Sequence, residues 1–122
     1  MPANRKSLGD RGEEIAALHL KECGYKILTR NYRKNFGEID IIAREADCLV
    51  FIEVKTRRTT SHGHPFEAVN LRKQKQISKV AQCYLAEKNL FDSPARFDVV
   101  SVIISDKSRE KVEILPNAFD LC

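Results

Sequence analysis

The sequence predicts an α/β protein whose elements follow the order α-β-β-β-α-β-β. Three observations predict it. Residues 7–24 repeat apolar positions at helical spacing and stop at a glycine. Two short runs rich in Ile, Val and Phe stand only four residues apart, the signature of a hairpin. A second helical stretch, opened by Asn70, then separates those runs from two further β-type segments.

In the first helix, Ser7 to Gly24, the residues Ile15, Ala16, Leu18, Leu20 and Cys23 form the buried side. Gly24 suits the left-handed position at which helices end. Tyr25 to Tyr32 is a short strand in which Tyr25, Ile27 and Thr29 alternate with Lys26 and Arg30. Gly37 to Arg44 and Leu49 to Thr56 are strands joined tightly through Glu45-Ala46-Asp47-Cys48. Thr59 to Pro65 is a loop. Asn70 caps a helix running to Asn89, with Ile77, Val80, Ala81, Tyr84 and Leu85 as its buried stripe. Phe97 to Ile104 and Val112 to Leu115 complete the strands. The first three strands form a meander, and the fourth follows a crossover helix.

The chain has 122 residues, 43% hydrophobic and 31% charged, which predicts one globular domain over residues 1–122 with a modest core. Its longest apolar runs, Ile39 to Ala43 and Leu49 to Val54, are each interrupted by an acid, so no membrane span is expected. The opening residues lack the apolar segment of a secretory signal, and a cytoplasmic protein is expected. Cys23, Cys48, Cys83 and Cys122 lie 25, 35 and 39 residues apart, with no CxxC or CxxH pair. That spacing argues against a structural zinc site, and the missing export signal argues against disulfides. Reduced thiols, at least two of them in the core, are the expectation.

The net charge of +4 conceals an asymmetry. From Lys55 to Lys79, seven cations face only Glu67, a local +6 that leaves −2 for the rest. A basic segment in a mildly acidic frame points to a polyanion partner, although a Lys-rich helix face can equally be a solvated surface.

The hairpin carries the chemistry. A turn centred between Ala46 and Asp47 sets Ile42 opposite Phe51, Asp40 opposite Glu53 and Glu38 opposite Lys55. Directly opposed residues point to one side of a sheet, so two carboxylates stand together with a lysine two residues along. Val50-Phe51-Ile52 and Val54 are apolar on both faces, as in an interior strand. Acids brought together there must take up a proton, pair with a base or share a cation. A structural acid–lysine pair is the plain alternative; a hard divalent ion with oxygen ligands is the functional one.

Asp40, followed thirteen residues later by Glu53-Val54-Lys55, resembles the D…(D/E)xK signature of the PD-(D/E)xK nuclease superfamily. The whole chain resembles the YraN family of small bacterial endonuclease-like proteins. The matching stretches are Gly12-Glu13 with Ala16 and Leu20, Gly24-Tyr25, Arg30-Asn31-Tyr32-Arg33, Gly37-Glu38-Ile39-Asp40 and Val50 to Arg57. Lys73, Arg96-Phe97-Asp98 and Asn117-Ala118-Phe119 complete a likeness that covers residues 8–119. The superfamily's proline before the first acid is absent; Ile39 stands there, as the family's Gly-Glu-Ile-Asp expects. The resemblance implies a restriction-endonuclease-like core, with a mixed central sheet flanked by helices and one extra C-terminal strand. It further implies a Mg²⁺- or Mn²⁺-dependent, Holliday-junction-resolvase-like endonuclease that hydrolyses DNA phosphodiesters and leaves a 5′-phosphate.

Under that resemblance Asp40, Glu53 and the Val54 carbonyl would hold the metal, and Lys55 would orient the attacking water. Glu13 would complete the site from the first helix. It is preferred to Glu14 because it precedes Ala16 and Leu20 by three and seven residues, on their face. Glu38 would hold Lys55. Arg57, Arg58, Lys73, Lys75 and Lys79 would contact the phosphate backbone, giving salt-dependent affinity without sequence readout. Nothing resembles a base-reading helix, so selection of branched or flapped DNA is expected, and a homodimer would suit symmetrical cutting.

His62 and His64 flank Gly63 in the loop, where histidines are more often unengaged than functional. Tyr25, Tyr32 and Tyr84 suit packing better than base stacking, and Asp98 suits structural hydrogen bonding. Two other readings stay open: a nucleic-acid-binding module that keeps the fold without cleaving, and a protein acting on RNA or within a larger assembly.

Overall fold

The structure, a computed structural model, describes residues 7–58, 69–105 and 109–119. Its elements are α1 (Leu8–Glu22), β1 (Lys26–Lys34), β2 (Gly37–Glu45), β3 (Cys48–Arg58), α2 (Leu71–Lys88), β4 (Ala95–Ile104) and β5 (Glu110–Phe119). This is the expected order, with longer strands at several ends. The five strands lie side by side in chain order. Neighbours run antiparallel except β3 and β4, which α2 joins as a parallel crossover. Among the described residues no helix is long and apolar enough to cross a membrane.

Local chemistry accounts for the helix ends. Ser7 accepts from the Asp10 amide at 3.1 Å and Asn70 from the Lys73 amide at 2.8 Å, each satisfying a first-turn N–H. Asn89 closes α2 in the left-handed region at φ 56. The two helices cover opposite faces of the sheet. Ala16, Ala17 and Leu20 of α1 pack on Ile41, Ala43, Val50, Ile52 and Val100. The predicted stripe of α2, Ile77 to Leu85, packs on Ile42, Leu49, Phe51 and Phe97.

Two expectations about α1 and the thiols are corrected. Leu18 is 63% exposed and Cys23, the cap residue, is exposed, because Gly12, Ala16 and Leu20 turn a narrower face to the sheet. Cys48 and Cys83 are only half-buried, one at the hairpin turn and one beside the α2 stripe. Cys122 lies outside the described residues. The last strand is ten residues long rather than four. It pairs on one side only, so the sheet edge tolerates Pro116 and the polar Asn117.

Candidate active site

The site grows from the hairpin register. Ile42 faces Phe51 and Ile41 faces Ile52, as the turn position requires, but the ladder between β2 and β3 stops there. The Val54 amide donates instead to Asp40 Oδ2 at 2.8 Å, so a side chain replaces the backbone acceptor where the two strands diverge. The alternation of faces also slips at this point, since Ile39 belongs to the α2-side core and Ile41 to the α1-side core. Asp40 is the residue in between, at the mouth of the fork.

Burial pushes the Asp40 carboxyl up to about 7, and the adjoining charge and hydrogen bond of Glu53 push the same way. The Val54 amide opposes them without prevailing. Asp40 and Glu53 thus interact just beyond the last rung of the ladder, Ile41 and Ile52, so their approach is not a paired register position, and it disfavours the charged form of Asp40. Glu53 also lies 3.8 Å from Lys73 Nζ on α2. Lys73 was expected on substrate phosphates; it stands against the acid pair.

A polar cavity of about 320 Å³ opens on the α1 side of the fork, with Glu13, Asn31, Arg33, Glu38, Asp40 and Val54 in its lining. Gly12 explains how Glu13 reaches it. A Cβ on Gly12 would fall 1.9 Å from Thr56 Oγ1, so only glycine lets α1 lie this close to β3 and carries the next residue over the fork. The Glu13 side chain is 12% exposed, and its Oε1 accepts from Arg30 Nε at 3.2 Å and Asn31 Nδ2 at 3.0 Å. Desolvation pushes its carboxyl upward, with Asp40's charge adding and Arg30 opposing. Glu14 is exposed.

Other expected residues are placed differently. Glu38 is bound by Arg33 at 2.8 Å rather than by Lys55. Register explains this, because β1 sets Arg33 directly beside Glu38. Lys55 is half-buried on β3, in phase with Glu53 and out of phase with Val54 and Thr56, which line the cavity. Arg57 and Arg58 occupy the end of β3. Lys75 and Lys79 are exposed on the side of α2 opposite its buried stripe, so they do not converge on Asp40. His62 and His64 lie outside the described residues. From the basic segment Lys73 reaches Glu53, whereas the cations that brace Glu13 and Glu38, Arg30 and Arg33, come from β1, outside that segment. The stretch Arg30-Asn31-Tyr32-Arg33 was their only signal.

Among the described residues, no three His, Cys, Asp or Glu side chains are gathered closely enough to hold an ion. The donor chemistry at the fork nevertheless suits a hard cation: two interacting carboxylates, one of them held well above the ordinary carboxylate range. Mg²⁺ is ordinarily held by one or two carboxylates, with water and phosphate supplying the rest.

Asp98 is a structural residue. Fully buried, it accepts from Tyr25 Oη at 3.0 Å, Arg96 Nε at 3.0 Å and the Asn117 amide at 2.9 Å. Burial first, then Asp98, pushes the Tyr25 hydroxyl up to about 12. Tyr32 and Tyr84 meet edge to face at 5.2 Å and are packing residues, as expected.

Fold and fork together define a five-stranded α/β protein with helices on both faces and an acid site where its second and third strands part. Residues 12–102 match the family model described as Uncharacterised protein family UPF0102, and the chain belongs to that family. A UPF0102 protein of Syntrophotalea carbinolica is 51% identical over 121 residues, covering 99% of this chain and 98% of that one. Those of Geotalea uraniireducens and Geobacter sulfurreducens are 49% and 47% identical, each spanning at least 97% of this chain and 92% of their own.

Proposed function

We propose that the protein is a divalent-metal-dependent endonuclease of the PD-(D/E)xK superfamily, related to the YraN proteins, that hydrolyses DNA phosphodiesters in the cytoplasm. The observation that supports this reading is Asp40 at the fork, which interacts with Glu53 of β3 and shares the lining of the cavity with Glu13. Such an acid pair is costly in an apo fold, and a dipositive ion removes the cost.

Asp40, Glu53 and the Val54 carbonyl would hold Mg²⁺ or Mn²⁺, and Glu13 would act directly or through a water. When bound, the ion supplies Lewis acidity and a water acidic enough to attack phosphorus. The chain's own groups do the remainder. Asp40 would have to be ionised to act as a ligand, so affinity would rise with pH. Lys55, which does not line the cavity, would have to turn toward it to orient the attacking water and stabilise charge developing on the phosphate. Lys73 leaves Glu53 for the scissile strand, and Arg33 exchanges Glu38 for a neighbouring phosphate.

Purified protein should cut branched or flapped DNA with Mg²⁺ or Mn²⁺. Lys55→Ala should stop cutting and leave binding intact; equal cutting by both proteins would expose a contaminant and defeat the assignment. One observation favours a second reading, a non-cleaving nucleic-acid-binding module: Lys73 already partners Glu53, as a metal-free site would require. Calorimetry separates the two, because only the nuclease binds Mn²⁺ in a manner that Asp40→Ala removes.

A further inference from the structure

The turn between β1 and β2 consists of Asn35 and Phe36, and Phe36 is 43% exposed. Leu18 and Phe91 are more exposed, and single apolar residues at a surface need no explanation. The setting of Phe36 is different. Its carbonyl accepts from Gln76 Nε2 of α2 at 2.6 Å. The adjoining Gly37 lies so close to that helix that a Cβ would meet Gln76 Cγ at 2.7 Å. The backbone is therefore pinned while the ring is left in water.

Around the ring lies an open groove of about 420 Å³ walled by Arg33, Lys34 and Lys73, with Glu38 as its one acid. Arg33 and Glu38 also line the Asp40 cavity, so groove and candidate active site share a wall. The three cations have carboxylate partners in Glu38, Glu87 and Glu53. Arg33 is 72% exposed, and exposed ion pairs are worth about 0–1 kcal/mol, so a phosphate can replace Glu38 on Arg33 at little cost.

We propose that Phe36 is a stacking platform for an unpaired DNA base, on a strand whose phosphates follow Arg33, Lys34 and Lys73 toward Asp40. This rests on the nuclease reading of that site and adds how it selects its substrate. Every base has an apolar face for an aromatic ring, but continuous duplex hides those faces in its own stack. A fork, flap or junction offers one. The platform thus supplies preference for branched DNA without any contact to base edges.

The chain contains no tryptophan, so Phe36→Trp places a single tryptophan at the turn, which can be excited apart from the three tyrosines. Its emission should be quenched by forked DNA and little changed by long, fully paired duplex. Phe36→Ala should bind the fork about 5- to 150-fold more weakly and the duplex unchanged, and Phe36→Tyr should restore the fork. Unaltered fork binding by Phe36→Ala, or an equal loss on both DNAs, overturns the platform even if cleavage stands. Failure of the unsubstituted protein to bind either DNA would instead defeat the nucleic-acid reading itself. Circular dichroism of each variant confirms folding.

Discussion

Asn31 donates from its side chain to Glu13 Oε1 at 3.0 Å, and it does so from a left-handed backbone at φ 54 in the middle of β1. Consecutive residues of a regular strand point to opposite faces. The left-handed residue breaks that rule, so Arg30 and Asn31 both reach one carboxylate. All their contacts fall on Oε1, and among the described residues Oε2 has no hydrogen-bond partner. The bend in β1 thus orients the helix acid toward the fork.

Substitutions at Asn31 should separate its backbone role from its side-chain role. Asn31→Gly keeps the left-handed geometry and loses one hydrogen bond, about 1 kcal/mol. Asn31→Val adds backbone strain of about 1–2 kcal/mol more. Denaturant unfolding of both variants checks the order, and equal curves would mean that the bend has relaxed. Calorimetry should also show Mn²⁺ affinity falling about 10- to 100-fold in Asn31→Gly, the usual cost of losing a residue that orients a ligand.

Asp40 should impose a pH dependence on the metal-free protein. Its folded pKa of about 7 lies above the roughly 3.9 of an unfolded chain, so between those values the folded state holds the extra proton. The associated stability is whole below about pH 4 and is lost as pH rises toward 7. Asp40→Asn removes that loss and keeps an acceptor for the Val54 amide. Urea unfolding in chelator should therefore show the variant gaining on the parent between pH 4 and pH 8. Parallel profiles would contradict the buried acid pair.

What the residues disclosed in advance was whatever repeats within one element. The five-residue stripe of α2 is buried as its spacing required, and the hairpin length sets Ile42 against Phe51. What they withheld depends on how elements meet. Nothing in β2 alone tells that its faces slip at Asp40, or that Glu38 goes to Arg33 across the β1 ladder instead of to Lys55. Counting charge along the chain marked residues 55–79, whereas strand pairing delivers Arg30 and Arg33 to the acids from another segment. Helical spacing leaves the rotation of α1 undetermined, so it does not tell that Leu18 faces solvent; the contact of Gly12 with Thr56 decides it.

That contact makes Gly12 sensitive. A Cβ there would lie 1.9 Å from Thr56 Oγ1 and 2.6 Å from Thr56 Cβ, so α1 must lift away in Gly12→Ala. Overpacking of this kind costs about 1–3 kcal/mol, and the lift withdraws Glu13 from the fork. Thr56→Ser should not rescue the variant, because Thr56 Cβ itself obstructs, whereas Thr56→Gly should. Melting temperatures of the four proteins test the geometry, and tolerance of Gly12→Ala alone would refute the close approach.

Asp98 should matter for stability and not for the site. Its carboxylate collects the Tyr25 hydroxyl, the Arg96 guanidinium and the Asn117 amide, tying the link between α1 and β1 to β4 and β5. Arg96 also reaches Glu45 at 2.8 Å, which adds the end of β2 to the same knot. Asp98→Ala strands a largely covered guanidinium and a buried hydroxyl, a loss of about 3–5 kcal/mol. Tyr25→Phe removes one donor and should cost about 1 kcal/mol. If the protein keeps enough stability to fold at low temperature, Mn²⁺ binding by Asp98→Ala should match the parent, since Asp40 and Glu13 keep their own partners. A variant that folds yet loses the metal would place Asp98 in the site after all.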